Sequence, residues 1–291
     1  MTLIMGVVNV TPDSFSDGGR HADAGAAVAH GLALRAQGAD ILDIGGESTR
    51  PGADRVDPRV EQGRVLPVVQ ALADAGVVVS IDTMNASTAL AAVAAGARIV
   101  NDVSGGMADA DMLPAVASTD ADVVLQHWRG HSADMYARAV YDDVVTEVVH
   151  ELRARVEAAA LAGIAPDRVI VDPGIGFGKL GEQNWQTLRG LERFVAMGPR
   201  VLIGTSRKRF LADALVAHRG DLVAHRGDLA DAAEVTEARR DLATAVTSAL
   251  AAQAGVWGVR VHDVAATRDA LVIAERWTGV RQADRSRSRE G

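Results

Sequence analysis

The chain of 291 residues contains no cysteine. Disulfides, thiolate metal ligands and a cysteine nucleophile are therefore excluded, as expected of a chain that folds in a reducing compartment. Positive charge is also in deficit: 38 acidic against 30 basic residues leave a formal net charge of −8. Such a field repels phosphate backbones and anionic headgroups unless local basic patches reverse it, so nucleic acid and membrane are poor partners. The apolar start, Met1-Thr2-Leu3-Ile4-Met5-Gly6, lacks the basic flank of a secretory signal, and Asp13 and Asp17 follow closely. A cytoplasmic protein is expected. The longest charge-free stretch, Leu242 to Val259, has the length of a membrane span, yet it contains Thr244, Thr247, Ser248, Gln253, Gly255 and Gly258. It reads as a buried helix running into a buried strand.

What the chain does have is a recurring grammar. With 48% hydrophobic residues it can bury one large core, and its length suits a single β/α barrel, for which roughly 250 residues is typical. Eight short apolar runs recur: Leu3 to Asn9, Ile41 to Gly45, Val77 to Asp82, Arg98 to Asp102, Val123 to His127, Val169 to Asp172, Val201 to Thr205 and Val256 to His262. Several are apolar at consecutive positions, as strands covered on both faces require, so the sheet should be parallel. Ala-rich helical segments lie between them. Many close on a glycine just before the next strand, at Gly38, Gly76, Gly96, Gly163, Gly198 and Gly255, where glycine takes a left-handed C-cap without a Cβ clash. Asp57-Pro58 and Asn85 mark helix starts.

Right-handed crossovers let eight such units close into a (β/α)8 TIM barrel or spread as an open doubly wound sheet. Polar strand-to-helix loops set against short, plain helix-to-strand loops favour the barrel, as one domain over residues 1–280. Two segments break the pattern. Leu215 to Asp221 is repeated at once as Leu222 to Asp228 and followed by the acidic stretch Asp231 to Glu237, which reads as a surface insertion. The polar tail 281–291 is expected to be disordered.

Asn9, Asp43, Asp82, Asn101, Asp102, His127, Asp172, Arg260 and His262 lie at or near predicted strand ends. One such Asp or Asn is ordinarily a helix cap or a turn closer; many together point to a barrel mouth. Ser206-Arg207-Lys208-Arg209 follows the seventh strand and opens a helix, a place that attracts anions. The eighth strand delivers Arg260 and His262 two apart onto one face, and closure brings the first strand, with Asn9, alongside. A phosphate site is the functional reading of this corner, a solvated basic helix face the plain one. Asp82, Asn101 and Asp172 form a second cluster. Buried carboxylates need compensation, and an amidine-like heterocycle edge, such as that of a 2-amino-4-oxo pteridine, offers parallel N–H donors in fork geometry. A divalent metal is the rival explanation, although no histidine pair at ligand spacing accompanies the acids.

The loops Val10 to Arg20 and Gly46 to Arg55 are long, with Phe15, Asp17, Arg50 and Pro51 as candidate contacts, and read either as mobile lids or as ordinary flexible loops. The glycine-rich run Gly174 to Lys179 fails the spacing of a nucleotide-binding loop and lacks Ser or Thr after Lys179, so nucleotide readings are dropped.

These motifs, taken together, resemble those of the dihydropteroate synthases in their family order: Met5-Gly6-Val7-Val8-Asn9-Val10-Thr11-Pro12-Asp13-Ser14-Phe15-Ser16-Asp17-Gly18-Gly19, Asp43-Ile44-Gly45-Gly46-Glu47-Ser48-Thr49-Arg50-Pro51-Gly52, Asn101-Asp102-Val103-Ser104-Gly105-Gly106, Asp172-Pro173-Gly174-Ile175-Gly176-Phe177-Gly178-Lys179, Ser206-Arg207-Lys208 and Arg260-Val261-His262-Asp263. The resemblance implies a transferase that condenses 6-hydroxymethyl-dihydropterin pyrophosphate with para-aminobenzoate by a dissociative route, in folate biosynthesis. It implies that Asp172 and Asn101 grip the amino-pyrimidine edge, that Asp82 meets the other ring, and that Lys208 reaches the oxo side. Asn9, Arg260 and His262 would hold the pyrophosphate, with Mg2+ bound at Asn9. Asp17 would lie near the cationic carbon, Phe15 with Pro51 would form the aminobenzoate pocket, and Thr49, Arg50, Phe177, Ser206 and Arg207 would complete the substrate contacts.

Sulfonamide inhibition and a homodimer are further family expectations. Two positions depart from the pattern: Gln126 stands where members commonly carry methionine, and Arg209 where many carry serine. A pterin-dependent methyltransferase barrel, which would not need the Lys208, Arg260 and His262 corner, and a catalytically silent pterin-binding paralogue are the alternatives.

Overall fold

Strands apolar at consecutive positions need cover on both faces, and the chain supplies it by closing its sheet on itself. In the computed structural model, which describes residues 1–11, 20–47, 55–130, 136, 138–226 and 235–279, eight parallel strands form a closed barrel in chain order. They are β1 (Leu3–Asn9), β2 (Ile41–Gly45), β3 (Val78–Asp82), β4 (Ile99–Asp102), β5 (Asp122–Gln126), β6 (Val169–Asp172), β7 (Arg200–Ile203) and β8 (Gly258–Val261). All eight expected runs contain a strand, with ends that move by no more than two residues. The crossovers carry α1 (Arg20–Ala36), α2 (Pro58–Asp74), α3 (Ala86–Ala94), α4 (Met112–Ala117) and α5 (Val144–Leu161). They continue with α6 (Gly181–Arg189), α7 (Leu191–Val195), α8 (Arg209–Arg226), α9 (Glu237–Gln253) and α10 (Val264–Thr278).

Alternation along each strand sorts side chains into two cores. Met5, Ile41, Ile99, Val124, Ile170 and Leu202 point inward and plug the lower barrel. The intervening residues, among them Ile4, Leu42, Val79, Val100, Val123, Val201 and Val259, pack outward beneath the helices. The plug fills the barrel below; the polar strand ends occupy its carboxyl-terminal mouth.

Local signals mostly hold. All six expected C-cap glycines have positive φ, from 74° at Gly76 to 110° at Gly198. Asp57 caps α2, accepting from Arg59 N at 2.9 Å, with Pro58 in the first turn. Asn85 precedes α3 as expected but does not cap it through its side chain. Asp109 accepts from Ala86 N at 2.8 Å instead. Asn85 is drawn aside by Glu61, which accepts its amide at 2.8 Å, and by Arg55, which donates to its carbonyl at 2.7 Å.

Two expectations are corrected. The stretch from Leu242 is a helix running into a strand, but α9 is buried on one side only. Leu242, Val246 and Leu250 stand 64%, 51% and 60% exposed. Among the described residues no helix is long and apolar enough to cross a membrane. The duplicated segment is not a loop for most of its length, because α8 runs unbroken through Arg226. The rest of the duplication, and the tail 281–291, lie outside the described residues.

Candidate active site

Parity decides which strand-end residues can meet. Asp43, Asn101, Gln126 and Asp172 each stand two residues beyond a plug residue of their own strand, namely Ile41, Ile99, Val124 and Ile170. Strand register carries the same inner face to Asp82, opposite Asn101, and to Arg260, opposite Met5. Asp102 and His127 fall on the other parity and leave the mouth. Asp102 closes a turn, accepting from Ser104 N and Gly106 N at 2.8 and 2.7 Å, the plain reading of a strand-end aspartate.

Arg260 is the centre of the cluster. Its Nε donates to Asp43 Oδ2 at 2.6 Å and its Nη2 to Asp82 Oδ2 at 2.7 Å, while Asn101 Nδ2 donates to the same Asp43 oxygen at 3.0 Å. Burial works against the guanidinium charge, but the two aspartates hold its pKa above the ordinary arginine value. Burial, only partly offset by Arg260, pushes the Asp82 carboxyl up to about 7. The two groups read from the sequence as separate, an acidic cluster and a basic corner, are therefore one network. Asp43, fully buried, joins them; as a strand-end acid it was visible in the sequence, but nothing there marked it as the shared acceptor.

The basic corner is smaller than its sequence suggests. Arg207 adopts φ +57° and turns away to α9, where Asp241 takes its Nε and Nη2 at 2.7 and 2.9 Å and Glu237 pairs with its Nη1. Arg209 is 90% exposed and faces Asp213 at 3.6 Å. Only Lys208 turns inward, donating to Ile175 O and lying 4.7 Å from the centre of the Phe177 ring. Burial pushes its pKa down to about 8, although Asp172 favours the charged form. Ser206 Oγ meets His262 Nδ1 at 2.8 Å and accepts from His262 N at 3.1 Å, which fixes the imidazole at the end of β8.

Asp172 lies across from Lys208. It is 4% exposed and accepts from Gly174 N at 2.7 Å; burial raises its pKa against the pull of Lys208. Gln126 is its register partner on β5, so the floor beside Asp172 is polar.

Asn9 ends β1, half-buried. Because Met5 is the residue level with Arg260, Asn9 stands four positions farther along its strand, and the expected close grouping of Asn9 with Arg260 is staggered. Phe15, Asp17, Thr49, Arg50 and Pro51 lie outside the described residues. The ends of the second loop are pinned: Glu47 pairs with Arg55 at 3.0 Å, and Arg64 donates to Gly46 O at 2.8 Å. Sequence reasoning missed Lys179, a lysine only 1% exposed that sits behind the turn following Asp172.

Comparison with known proteins places this geometry. The model of the family described as "Pterin binding enzyme" matches residues 5–262. A dihydropteroate synthase of Mycobacterium leprae is 52% identical over 275 residues, covering 94% of this chain and 93% of the relative. The dihydropteroate synthase of Xanthomonas albilineans, solved with 4-aminobenzoic acid, superposes with a TM-score of 0.82 at 44% identity, over 97% of this chain and 94% of that one. That of Yersinia pestis, solved with a sulfonamide drug, gives a TM-score of 0.82 at 35% identity, over 96% and 94%.

Proposed function

The chain belongs to the dihydropteroate synthase family of pterin-binding enzymes, and from that premise we propose how its own residues carry the reaction. The enzyme is a transferase of folate biosynthesis that joins 6-hydroxymethyl-dihydropterin pyrophosphate to para-aminobenzoate and releases pyrophosphate. The observation that supports the assignment of roles is the convergence of Asp82, Asn101, Asp172, Lys208 and Arg260 on one inner wall at the carboxyl-terminal mouth.

Asp172 accepts the paired N–H donors of the amino-pyrimidine edge, a fork one carboxylate can satisfy. Asn101 seconds it, Asp82 meets the other ring, and Lys208 releases Ile175 O to donate to the oxo group beside Phe177. Arg260 spends Nε and Nη2 on Asp43 and Asp82, which leaves Nη1 to face the leaving group together with His262 and Ser206. Arg207 acts through α9, holding the turn that presents Ser206 and Lys208.

The bond from the methylene carbon to the pyrophosphate oxygen breaks first, and the arylamine traps the cation. No protein nucleophile is required. Preorganised donors facing the departing anion are worth several kcal/mol in such sites, roughly 3–4 for a single well-placed donor. Asp17 stabilises the cationic carbon, Phe15 and Pro51 border the aminobenzoate, and Thr49 and Arg50 complete its contacts; all five roles come from the family motifs. A sulfonamide would occupy the aminobenzoate position.

Asn9 offers one amide oxygen. Among the described residues no group of three His, Cys, Asp or Glu could hold a metal, which suits Mg2+, an ion commonly bound through few protein oxygens with phosphate and water completing the shell. Bound there, it would neutralise developing pyrophosphate charge.

A cytoplasmic homodimer completes the proposal. Its support is the exposed apolar row on α9 and a second on α10, where Ile273 and Trp277 are 65% and 86% exposed.

The test incubates the purified chain with dihydropterin pyrophosphate, Mg2+ and para-aminobenzoate. Stoichiometric pyrophosphate and dihydropteroate are expected. No product at saturating substrate would favour a silent paralogue, and methyl transfer from a folate would favour the methyltransferase reading.

A further inference from the structure

The buried group that the reaction above does not use is Lys179. A lysine side chain this enclosed loses its hydration and needs donors and charges arranged around it. Its Nζ lies 3.0 Å from His127 Nδ1, 3.1 Å from Gly174 O and 3.3 Å from Phe177 O. Three neutral acceptors satisfy its three N–H bonds. The countercharge comes from elsewhere: among the charged groups around it, Asp172 is the foremost in favouring its cation, with Glu151 a lesser aid and Lys208 and Arg129 opposed.

The far side of His127 completes a relay. His127 Nε2 lies 2.9 Å from Glu151 Oε2, and Arg129 grips Glu151 Oε1 at 2.5 Å and Glu147 at 2.8 Å. Burial and the neighbouring Lys179 push the His127 pKa down to about 4, so the ring is neutral. A neutral imidazole facing a carboxylate at Nε2 and an ammonium at Nδ1 has only one sensible tautomer, with the proton on Nε2.

The same residues clamp the turn 173–178 from behind. Lys179 takes two of its carbonyls, Tyr141 donates to Gly178 O at 2.7 Å, and Asn184 accepts from Gly176 N at 2.6 Å. That turn supplies the Gly174 N–H that orients Asp172.

We propose that Lys179, held by the Glu151–His127 pair, is a positioning residue for pterin recognition: it fixes the turn behind Asp172 and keeps the Asp172 carboxylate ionised for the incoming amino-pyrimidine. The inference rests on Asp172 being the pterin acceptor. The charged groups facing Asp172 are Lys179 from its own loop, Lys208 from beyond β7 and Arg260 from β8; β5 contributes only the neutral Gln126. Removing one of three cations raises the pH needed to ionise the carboxyl.

The experiment measures binding of 6-hydroxymethyl-7,8-dihydropterin by calorimetry from pH 5 to pH 9, for the wild type, Asp172→Asn, Lys179→Met and Glu151→Gln. Lys179→Met should weaken binding at neutral pH roughly ten-fold or more and move the acidic midpoint of the profile upward, since one pH unit of midpoint is a ten-fold change in affinity. Glu151→Gln should shift it in the same direction by less, because a weaker cation at Lys179 supports Asp172 less well. Aminobenzoate KM should stay within about two-fold of wild type. Unchanged affinity in Asp172→Asn would remove the pterin reading itself. A normal loss in Asp172→Asn together with an unshifted midpoint in Lys179→Met would overturn this inference alone, as would equal loss of both substrates. If Lys179→Met does not fold, nitrogen NMR of wild-type His127 decides: an Nδ1-protonated ring, or one that titrates near 6.5, refutes the relay.

Discussion

At the residue scale, Arg260 shows why the mouth holds its shape without ligand. Two aspartates that would repel across the barrel share one guanidinium, and the arrangement is stable only while all three charges remain, because removing one partner of a buried ion pair leaves an uncompensated charge worth about 3–5 kcal/mol. Asp82 bears the strain, with a folded-state pKa of about 7 against 3.8 for the free group. The sign follows from linkage: the folded state keeps the Asp82 proton to higher pH than the unfolded chain does, so the favourable contribution is complete below pH 4 and is lost as pH rises toward 7. Asp82→Asn should therefore stabilise the protein relative to wild type by an amount that grows from pH 5 to pH 8, on the order of 1–3 kcal/mol at the upper end. Thermal melts of both proteins across that range measure it; a gain independent of pH would show that Asp82 is ionised throughout. The identity of Asp82 as a mouth residue was legible from its place at the end of an apolar run. Its partner was not, because a fork between strands separated by 178 positions in sequence depends on barrel closure and side-chain reach, neither of which leaves a local pattern. Arg207 carries the converse lesson: a cation at a helix start looks like an anion site until Asp241, 34 residues on, claims it.

At the scale of elements, strands were legible because both of their faces are apolar, and helix ends because glycine is required there. What sequence alone could not resolve was which glycines answer to backbone conformation and which to crowding. Gly163 has φ +99° with nothing near its missing Cβ, whereas Gly174, at φ +68°, would place a Cβ 2.5 Å from His127 O. Gly163→Ala should cost only the left-handed penalty, roughly 1–2 kcal/mol. Gly174→Ala should cost about 1–3 kcal/mol more, since the carbonyl of β5's end cannot retreat, and should also abolish pterin binding by displacing the N–H that orients Asp172. Melting temperature and calorimetry on the two variants separate these terms; equal destabilisation with pterin affinity intact would mean the turn can shift at no cost. The duplicated segment illustrates a different limit. Seven residues are close to two helical turns, so repetition within a helix nearly preserves the facing of its residues, and α8 accommodates the start of the duplication as continued helix where composition alone suggested a loop.

At the scale of the whole molecule, the barrel leaves one feature that a single chain does not account for. On α9, Leu242, Val246 and Leu250 recur every four residues, and all three are more than half exposed; on α10, which packs against α9, Ile273 and Trp277 repeat the spacing. Residues four apart share a helix face, so each helix presents an apolar row that costs free energy in water. Composition could not reveal this, because a charge-free helix looks the same whether the barrel or another chain covers its second side. If a second copy of the chain covers both rows, the interface should reach the roughly 1,200–2,000 Å² of stable complexes, and a charge placed in either row should be intolerable there while harmless to the isolated fold. Leu250→Glu combined with Ile273→Glu is therefore expected to convert a dimer to a monomer by light scattering, with the melting temperature of the variant independent of protein concentration and that of the wild type rising with it. A wild type that scatters as a monomer at micromolar concentration, or a double variant that remains dimeric, would place the rows outside any self-association.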